Sequence, residues 1–163
     1  MTVNSIPKKR LLLLRWIYGT LCVAMMVVIF WFSAMTARES AAVSGKVTQV
    51  AVEVVYPEYR SLPKPQKTGA FNVMQHIVRK SAHLTEYAIL GMFLMLLFST
   101  FRIRLRPLWA LLSAAAYAAT DEWHQAFVMG RGPMFTDVLI DSSGALLGIL
   151  LMFLVILAFR KRS

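Results

Sequence analysis

The residues of this chain that could do chemistry lie at the ends of three apolar runs, and their spacing is helical. Lys80, His83 and Glu86 recur every three residues, so on a helix they share one face. Asp121 and Gln125 are one helical turn apart in the next run. If three helices meet at these ends, their polar side chains form one cluster. The candidate ligand-binding residues are Lys80, His83, Glu86, Tyr87, Asp121, Glu122, Gln125, Arg131, Asp137 and Asp141.

The mixture of bases and acids in this set suits an anionic or glycosylated ligand. Lys80 and Arg131 would contact a phosphate or a carboxylate, because both are positively charged hydrogen-bond donors. The acids, Gln125 and Tyr87 would hydrogen-bond to sugar or amide groups. The set therefore predicts a pocket for a membrane lipid, for a lipid-linked precursor of the cell envelope or for a glycopeptide.

An enzyme acting on a lipid or envelope headgroup is a second hypothesis. His83 and Glu86 with His124 and Asp121 supply enough donors for a metal ion, or a histidine and a carboxylate for acid and base catalysis. The chain has neither a His-Glu-x-x-His motif nor a Gly-x-Ser-x-Gly nucleophile motif. We therefore assign no catalytic residue, and the sequence predicts no metal or other cofactor.

A third hypothesis is purely structural, with Arg79, Lys80 and Arg131 paired to the acids in a network that orients the helices. Such polar interactions contribute about 1 kcal/mol each in membrane bundles. Glu86 lies 16 residues from Arg102, about 24 Å along a helix, which places it about one turn below the outer boundary of a 30 Å hydrocarbon core. Ionisable groups at that depth are costly unless they are paired, protonated or facing a wet cavity, and they often mark a functional site.

The elements that must position these residues are membrane helices. A chain of 163 residues with 58% hydrophobic residues has too much apolar surface for one small water-soluble core. Spans are predicted at about 12–35, 81–101, 107–127 and 136–159, each long enough to cross a hydrocarbon core. The first apolar run is about twice as long as a signal-peptide core, so it is predicted to be a retained anchor. The sequence thus predicts one all-α domain over 1–163, an integral membrane four-helix bundle.

The distribution of charge orients this bundle. All eight acidic residues fall within 38–86 and 121–141, whereas the other side carries only lysine and arginine, at 8–15, 102–106 and 160–162. By the positive-inside rule the purely basic side is cytoplasmic, so both termini are predicted there in a multi-pass protein. Basic residues at the ends of apolar runs do not form the exposed basic face of a nucleic-acid-binding protein, so no nucleic acid is expected as a partner. The oligomeric state is not encoded in these patterns.

The external segment, about 38–78, is predicted to contain a short helix on the outer membrane surface. Valine recurs there at helical spacing, which favours an amphipathic helix. Alternating valines between 50 and 54 also fit a strand, so both alternatives stay open at this point. The helical positions are Val43, Val47, Val50 and Val54. In the last span, Gly144 and Gly148 form a small-xxx-small pair, which predicts a close approach to a neighbouring helix.

Two strings near the first two spans resemble the VanZ-like family of small membrane proteins. The first is Trp-Phe-Ser-Ala at 31–34, followed by Ser40 and Ser44. The second is Arg-Lys-Ser-Ala-His at 79–83, followed by Glu-Tyr at 86–87. The first string alone is weak evidence for the resemblance. The second adds basic residues and a histidine at the start of the second predicted span.

The third string, which runs from Asp121 to Gly148, is long and specific. It reads D-E-x-x-Q-x4-G-R-x5-D-V-x5-G-x3-G. The chain departs from the family at Asp141, where the family usually shows asparagine. The resemblance implies a bacterial cell-membrane protein, in a family typified by a member linked to low-level teicoplanin resistance. It implies a cell-envelope role that lowers susceptibility to glycopeptide antibiotics such as teicoplanin.

Overall fold

The computed structural model describes residues 7–161, and the regular structure in that range is entirely helical. A short 3-10 helix lies at Tyr59–Ser61. The five α-helices are α1 Lys8–Ser33, α2 Ala37–Val55, α3 Lys64–Ser99, α4 Arg106–Gln125 and α5 Phe135–Lys161. The all-α prediction is confirmed. Arg162, one of the basic residues on the side predicted to be cytoplasmic, lies outside the described residues.

Three of these helices are long and apolar enough to cross a membrane: α1, α3 and α5 from Phe135 to Phe159. They overlap three of the four predicted spans. Much of their apolar surface faces outward, including Trp16, Trp31 and Leu154, each more than 60% exposed. An apolar surface of this extent is expected against lipid and not against water.

The fourth predicted span, about 107–127, is also a helix, but α4 is rich in alanine and is not among the three helices that are apolar enough by composition. Ala110, Ala114 and Ala118 are fully buried at four-residue intervals. α4 therefore packs through a narrow alanine face, against α5 and α3. Its 20 residues extend about 30 Å.

The segment predicted to be external forms a helical hairpin from α2 and the first half of α3. α2 confirms the predicted helix, and the alternative of a strand is wrong. It begins with a capping box: the Thr36 hydroxyl accepts from the Glu39 backbone N–H at 3.3 Å, and the Glu39 carboxylate accepts from the Thr36 N–H at 2.8 Å. Gln75 Nε2 donates to the Ala41 carbonyl at 3.3 Å, which ties α3 to α2.

The start of α3 lies well before the predicted second span. The helix begins at Lys64, with Pro63 as its N-cap and Pro65 in its first turn. Proline is tolerated in a first helical turn because its missing N–H would have no intrahelical partner there. These prolines therefore mark a helix start, and α3 continues without a break for 36 residues.

α3 and α5 form the central pair of the core, and glycine sets their separation. A Cβ on Gly144 or Gly148 would overlap the backbone carbonyl oxygen of Leu84 or Ala88, respectively, on α3. Gly91 on α3 meets the backbone of α5 in the same way. The two backbones are in direct contact, so the close approach predicted from the glycine pair is confirmed.

Candidate functional site

The polar middle of α3, the C-terminal end of α4 and the N-terminal end of α5 meet beside the C-terminal end of α1 and the loop 126–134. The structure brings the ten predicted residues to this region. α3 carries Lys80, His83, Glu86 and Tyr87; the last two turns of α4 carry Asp121, Glu122 and Gln125; the loop carries Arg131; and α5 begins with Asp137 and Asp141. Several of them are buried despite their charge, which requires local compensation.

A hydrogen-bonded chain links α1 to α4. The Ser33 hydroxyl, which is fully buried, donates to Asp121 Oδ2 at 2.7 Å. Gln125 Nε2 donates to the same carboxylate oxygen at 3.2 Å. Asp121 is only 3% exposed, so these two donors satisfy one of its oxygens inside the protein.

Arg131 fastens the loop onto α1 and α4. Its Nη1 donates to Gln125 Oε1 at 3.1 Å, and its Nη2 donates to the Phe32 carbonyl oxygen at 3.1 Å. Burial lowers the pKa of the Arg131 guanidinium, and the nearby Arg79 lowers it further. Arginine pKa values start so high that the group stays charged at neutral pH. Arg131 therefore keeps a positive charge facing two neutral acceptors.

Lys80 forms an ion pair with Asp137, which joins α3 to the first turn of α5. Glu122 accepts a hydrogen bond from the Met134 backbone N–H at 2.8 Å and holds the end of the loop against α4. Of the predicted pairings between bases and acids at the site, the Lys80 pair is the one that forms among the described residues. Arg131 instead donates to the side-chain amide oxygen of Gln125 and to the Phe32 carbonyl oxygen.

Some buried polar atoms of the site have no hydrogen-bond partner within residues 7–161. They include His83 Nδ1, Glu86 Oε2, Asp121 Oδ1 and the Tyr87 hydroxyl. His83 Nδ1 and Glu86 Oε2 lie 3.8 Å apart, beyond hydrogen-bond distance. Buried polar atoms in native proteins are generally satisfied, so unpartnered ones point to a bound water, ion or ligand.

A polar cavity of about 150 Å³ opens among α3, α4, the loop and α5. Most of the predicted residues line it, together with His76 and Arg79. The predicted lining residues are Lys80, His83, Glu122, Gln125, Arg131, Asp137 and Asp141. Within residues 7–161, Asp121 and the fully buried Tyr87 do not line this cavity.

An apolar groove of about 690 Å³ runs along the hairpin between α2 and α3 and reaches the end of α1. Its walls include Val43 and Val47 of α2 and Met74 and Ile77 of α3. Its volume falls in the range of small-molecule and cofactor sites. Three residues line both the groove and the polar cavity: Arg79, His83 and Arg131. Glu86 also lines the groove. The two spaces thus share a charged boundary.

Ser33 and His76 belong to this region but are not among the sequence-predicted residues. Ser33 is a small hydroxyl residue at the end of an apolar run, and nothing in its spacing indicates that it meets Asp121. His76 lies at helical spacing from Lys80 and His83, a signal that depends on extending α3 upstream. His124, considered above as a possible ligand, instead packs its ring 4.6 Å from the ring of Phe30.

Comparison with curated proteins and with solved structures finds no match to this chain. The sequence profile of one family, described as VanZ/LLP1, matches residues 18–157, which include every residue of the cluster. The matched region holds all of α3, most of α5 and 16 of the 26 residues of α1, so it includes part or all of each helix that is apolar enough to cross a membrane. The chain belongs to the VanZ/LLP1 family.

Proposed function

We propose that this protein binds an anionic lipid of the outer leaflet, with the headgroup in the polar cavity and an acyl chain in the apolar groove. The observation that carries the proposal is the shared boundary, where Arg79, His83 and Arg131 line both spaces. A polar cavity joined to an apolar groove matches the two ends of an amphiphile. A water-soluble ligand such as a free sugar would leave the groove without a role.

The charge at this boundary favours an anionic headgroup. Lys80 is neutralised by Asp137, whereas Arg79 and Arg131 form no ion pair with an acid among the described residues. The carboxylates of Glu122, Asp137 and Asp141 also line the polar cavity, so the anion is expected at the boundary with the groove, where the two unpaired guanidinium groups lie. Arginine binds phosphate and carboxylate groups through paired N–H donors, so a phosphate-containing headgroup fits this position.

The proposal includes a topology of four membrane crossings with both termini in the cytoplasm. α4 is the fourth crossing, because its 20 residues reach about 30 Å and it packs against two helices that are apolar enough to span. The lysine- and arginine-only loop at 102–106 then lies inside, and the hairpin of α2 and α3 lies outside. The membrane would be the cytoplasmic membrane of a bacterium, as the family resemblance implies.

Cysteine labelling tests this topology. Cys22 is the single cysteine of the chain, so a Cys22→Ala background allows single cysteines to be placed at Gln66 and at Ile103. We expect a membrane-impermeant maleimide on intact cells to label the Gln66→Cys variant and to label Ile103→Cys only after lysis. Equal labelling of both variants in intact cells, or the reverse pattern, would contradict the four-crossing arrangement.

At the level of the cell, we propose that occupation of this site lowers susceptibility to glycopeptide antibiotics such as teicoplanin. The support is the family membership together with the position of the charged boundary. A glycopeptide bound directly by the protein is the competing ligand, and it would not need the groove.

Loss of arginine charge should remove the lipid. We expect Arg79→Met and Arg131→Met each to reduce the anionic lipid that is retained after mild detergent purification by about tenfold, equivalent to about 1.4 kcal/mol of binding free energy. Arg60→Met is the matched control, because Arg60 is 81% exposed and pairs with Glu53 on the hairpin. Lipid extraction and mass spectrometry give the readout, with teicoplanin susceptibility of expressing cells measured in parallel.

The outcomes of this experiment separate the hypotheses. Unchanged lipid in both arginine variants would refute the binding proposal. If membrane abundance and thermal stability collapse together with lipid retention in Arg79→Met, which breaks no side-chain hydrogen bond in the described structure, the cluster is structural instead. Saturable binding of teicoplanin to the lipid-free protein would identify the glycopeptide as the ligand.

A further inference from the structure

Three helices each contribute one potential metal-binding side chain to a single point. His83 of α3, Asp121 of α4 and Asp141 of α5 each offer one donor atom, and these atoms lie within 4.8 Å of one another. The three residues are far apart in sequence, so their meeting depends on the packing of the core. Both carboxylates are buried, with 3% of their surface exposed.

The charge of this group calls for a cation. Asp121 and Asp141 form no ion pair with lysine or arginine within residues 7–161. A carboxylate in a buried site is strongly disfavoured unless it is paired, protonated or bound to a metal ion. The two neighbouring carboxylates also repel each other, and a divalent cation bound between them would offset this repulsion.

Unpartnered atoms provide a second and independent observation. Asp121 Oδ2 is occupied by the hydrogen bonds from Ser33 and Gln125, whereas Asp121 Oδ1 has no partner among the described residues. His83 Nδ1 is also buried without a hydrogen bond in that range. A metal ligand needs a free lone pair on a fixed side chain. The bonds from Ser33 and Gln125 orient Asp121 as outer-shell partners commonly orient ligating carboxylates.

We propose that His83, Asp121 and Asp141 form a binding site for a divalent transition-metal ion, Zn²⁺ or Mn²⁺, at the inner end of the polar cavity. One imidazole nitrogen and two carboxylate oxygens suit these ions, and three protein ligands leave further coordination positions open. His83 and Asp141 also line the cavity, which gives an entry path and directs an open position toward it. Glu86, with Oε2 3.8 Å from His83 Nδ1, adds a carboxylate at the edge of the site.

The three donor atoms would have to move slightly closer together when a metal ion binds. Donor atoms around a tetrahedral ion with bonds of about 2.0–2.2 Å lie roughly 3.4 Å apart. Closing from 4.8 Å to that separation moves donors by about 1 Å, which side-chain rotation supplies. The metal site goes beyond the lipid proposal and does not rest on it, because a metal-free protein could still bind lipid through Arg79 and Arg131.

Metal analysis of the full chain tests the site. The detergent-purified protein is stripped with a chelator and equilibrated with ZnCl₂ or MnCl₂, and bound metal is measured by elemental mass spectrometry. We expect one ion per chain at micromolar free metal and a rise in the thermal unfolding temperature, because a ligand of the folded state stabilises it. Asp141→Asn should weaken binding by at least about tenfold while preserving side-chain shape.

Two control variants separate the site from general effects. Glu58→Gln and Glu53→Gln each remove an acid of the hairpin, where Glu58 is exposed and Glu53 pairs with Arg60. Both should bind metal as the unaltered chain does. If Asp141→Asn does not fold, Co²⁺ substitution in the unaltered chain gives the readout, with visible absorption expected from nitrogen and oxygen coordination. Absence of a stoichiometric ion, or undiminished binding by folded Asp141→Asn, overturns the proposal.

Discussion

Replacement of Gly148 by leucine is expected to produce the largest loss of stability of any single change in this chain. The added Cβ would overlap the Ala88 carbonyl oxygen on α3, and a backbone atom cannot turn aside as a flexible side chain can. α3 and α5 would have to separate, which opens the packing around the fully buried Ile149. Overpacking of this kind costs 1–3 kcal/mol or more, and we expect a value of roughly 3 kcal/mol or above.

Gly19 supplies the matched control for this prediction. It lies in α1, and a Cβ there would meet no other part of the described structure within 4 Å. Gly19→Leu and Gly148→Leu gain the same intrinsic helix propensity, so their difference isolates the helix contact. Thermal unfolding in detergent gives the comparison. A Gly148→Leu unfolding temperature equal to that of Gly19→Leu would show that the two backbones are not in contact.

Replacement of Val47 by tryptophan is expected to remove most of the lipid that the proposed site retains. Val47 lines the apolar groove, and the larger ring would occupy the space assigned to an acyl chain. Arg79 and Arg131 stay in place, so the experiment separates the apolar requirement from the charge requirement. We expect less than about a tenth of the lipid to be retained, which corresponds to more than 1.4 kcal/mol of lost binding free energy.

Val50 is the control for the groove. It lies on the same helix and is 66% exposed, against 60% for Val47, but it does not line the groove. Val50→Trp therefore adds the same side chain to the same helix without filling the site. Quantitative lipid mass spectrometry on both variants gives the measurement. Equal retention by the two variants would place the acyl chain elsewhere and leave the groove without the proposed role.

Several features of the fold could be predicted because they depend on local properties of the chain. Apolar runs long enough to span a membrane predict helices, and the positions of α1, α3 and α5 agree with those runs. The glycine pair in α5 predicts a close helix contact because small residues are what such a contact requires. The start of α3 is less predictable, since proline occurs in loops as well as in the first turns of helices.

The partners within the candidate site could not be predicted, because they depend on how the helices rotate against one another. Helical spacing groups residues on one helix but does not say which helix faces them. Arg131 carries a charge that suggests an acidic partner, yet it donates to Gln125 and to the Phe32 carbonyl. Ser33 meets Asp121 across 88 positions of the chain. Asp141 joins His83 for the same reason: only the packing of α5 on α3 brings them together.

The unbroken length of α3 has a consequence for where a bound lipid would lie. Its 36 residues extend about 54 Å, whereas a hydrocarbon core is about 30 Å thick. To fit inside, the helix would have to incline by roughly 56°, beyond the usual limit of about 40°. If α3 crosses the membrane, one of its ends therefore extends beyond the hydrocarbon core, and α2 packs along α3. With the N-terminal end of α3 on the outer side, an acyl chain bound between α2 and α3 would lie partly outside the hydrocarbon core and would be accessible from outside the cell.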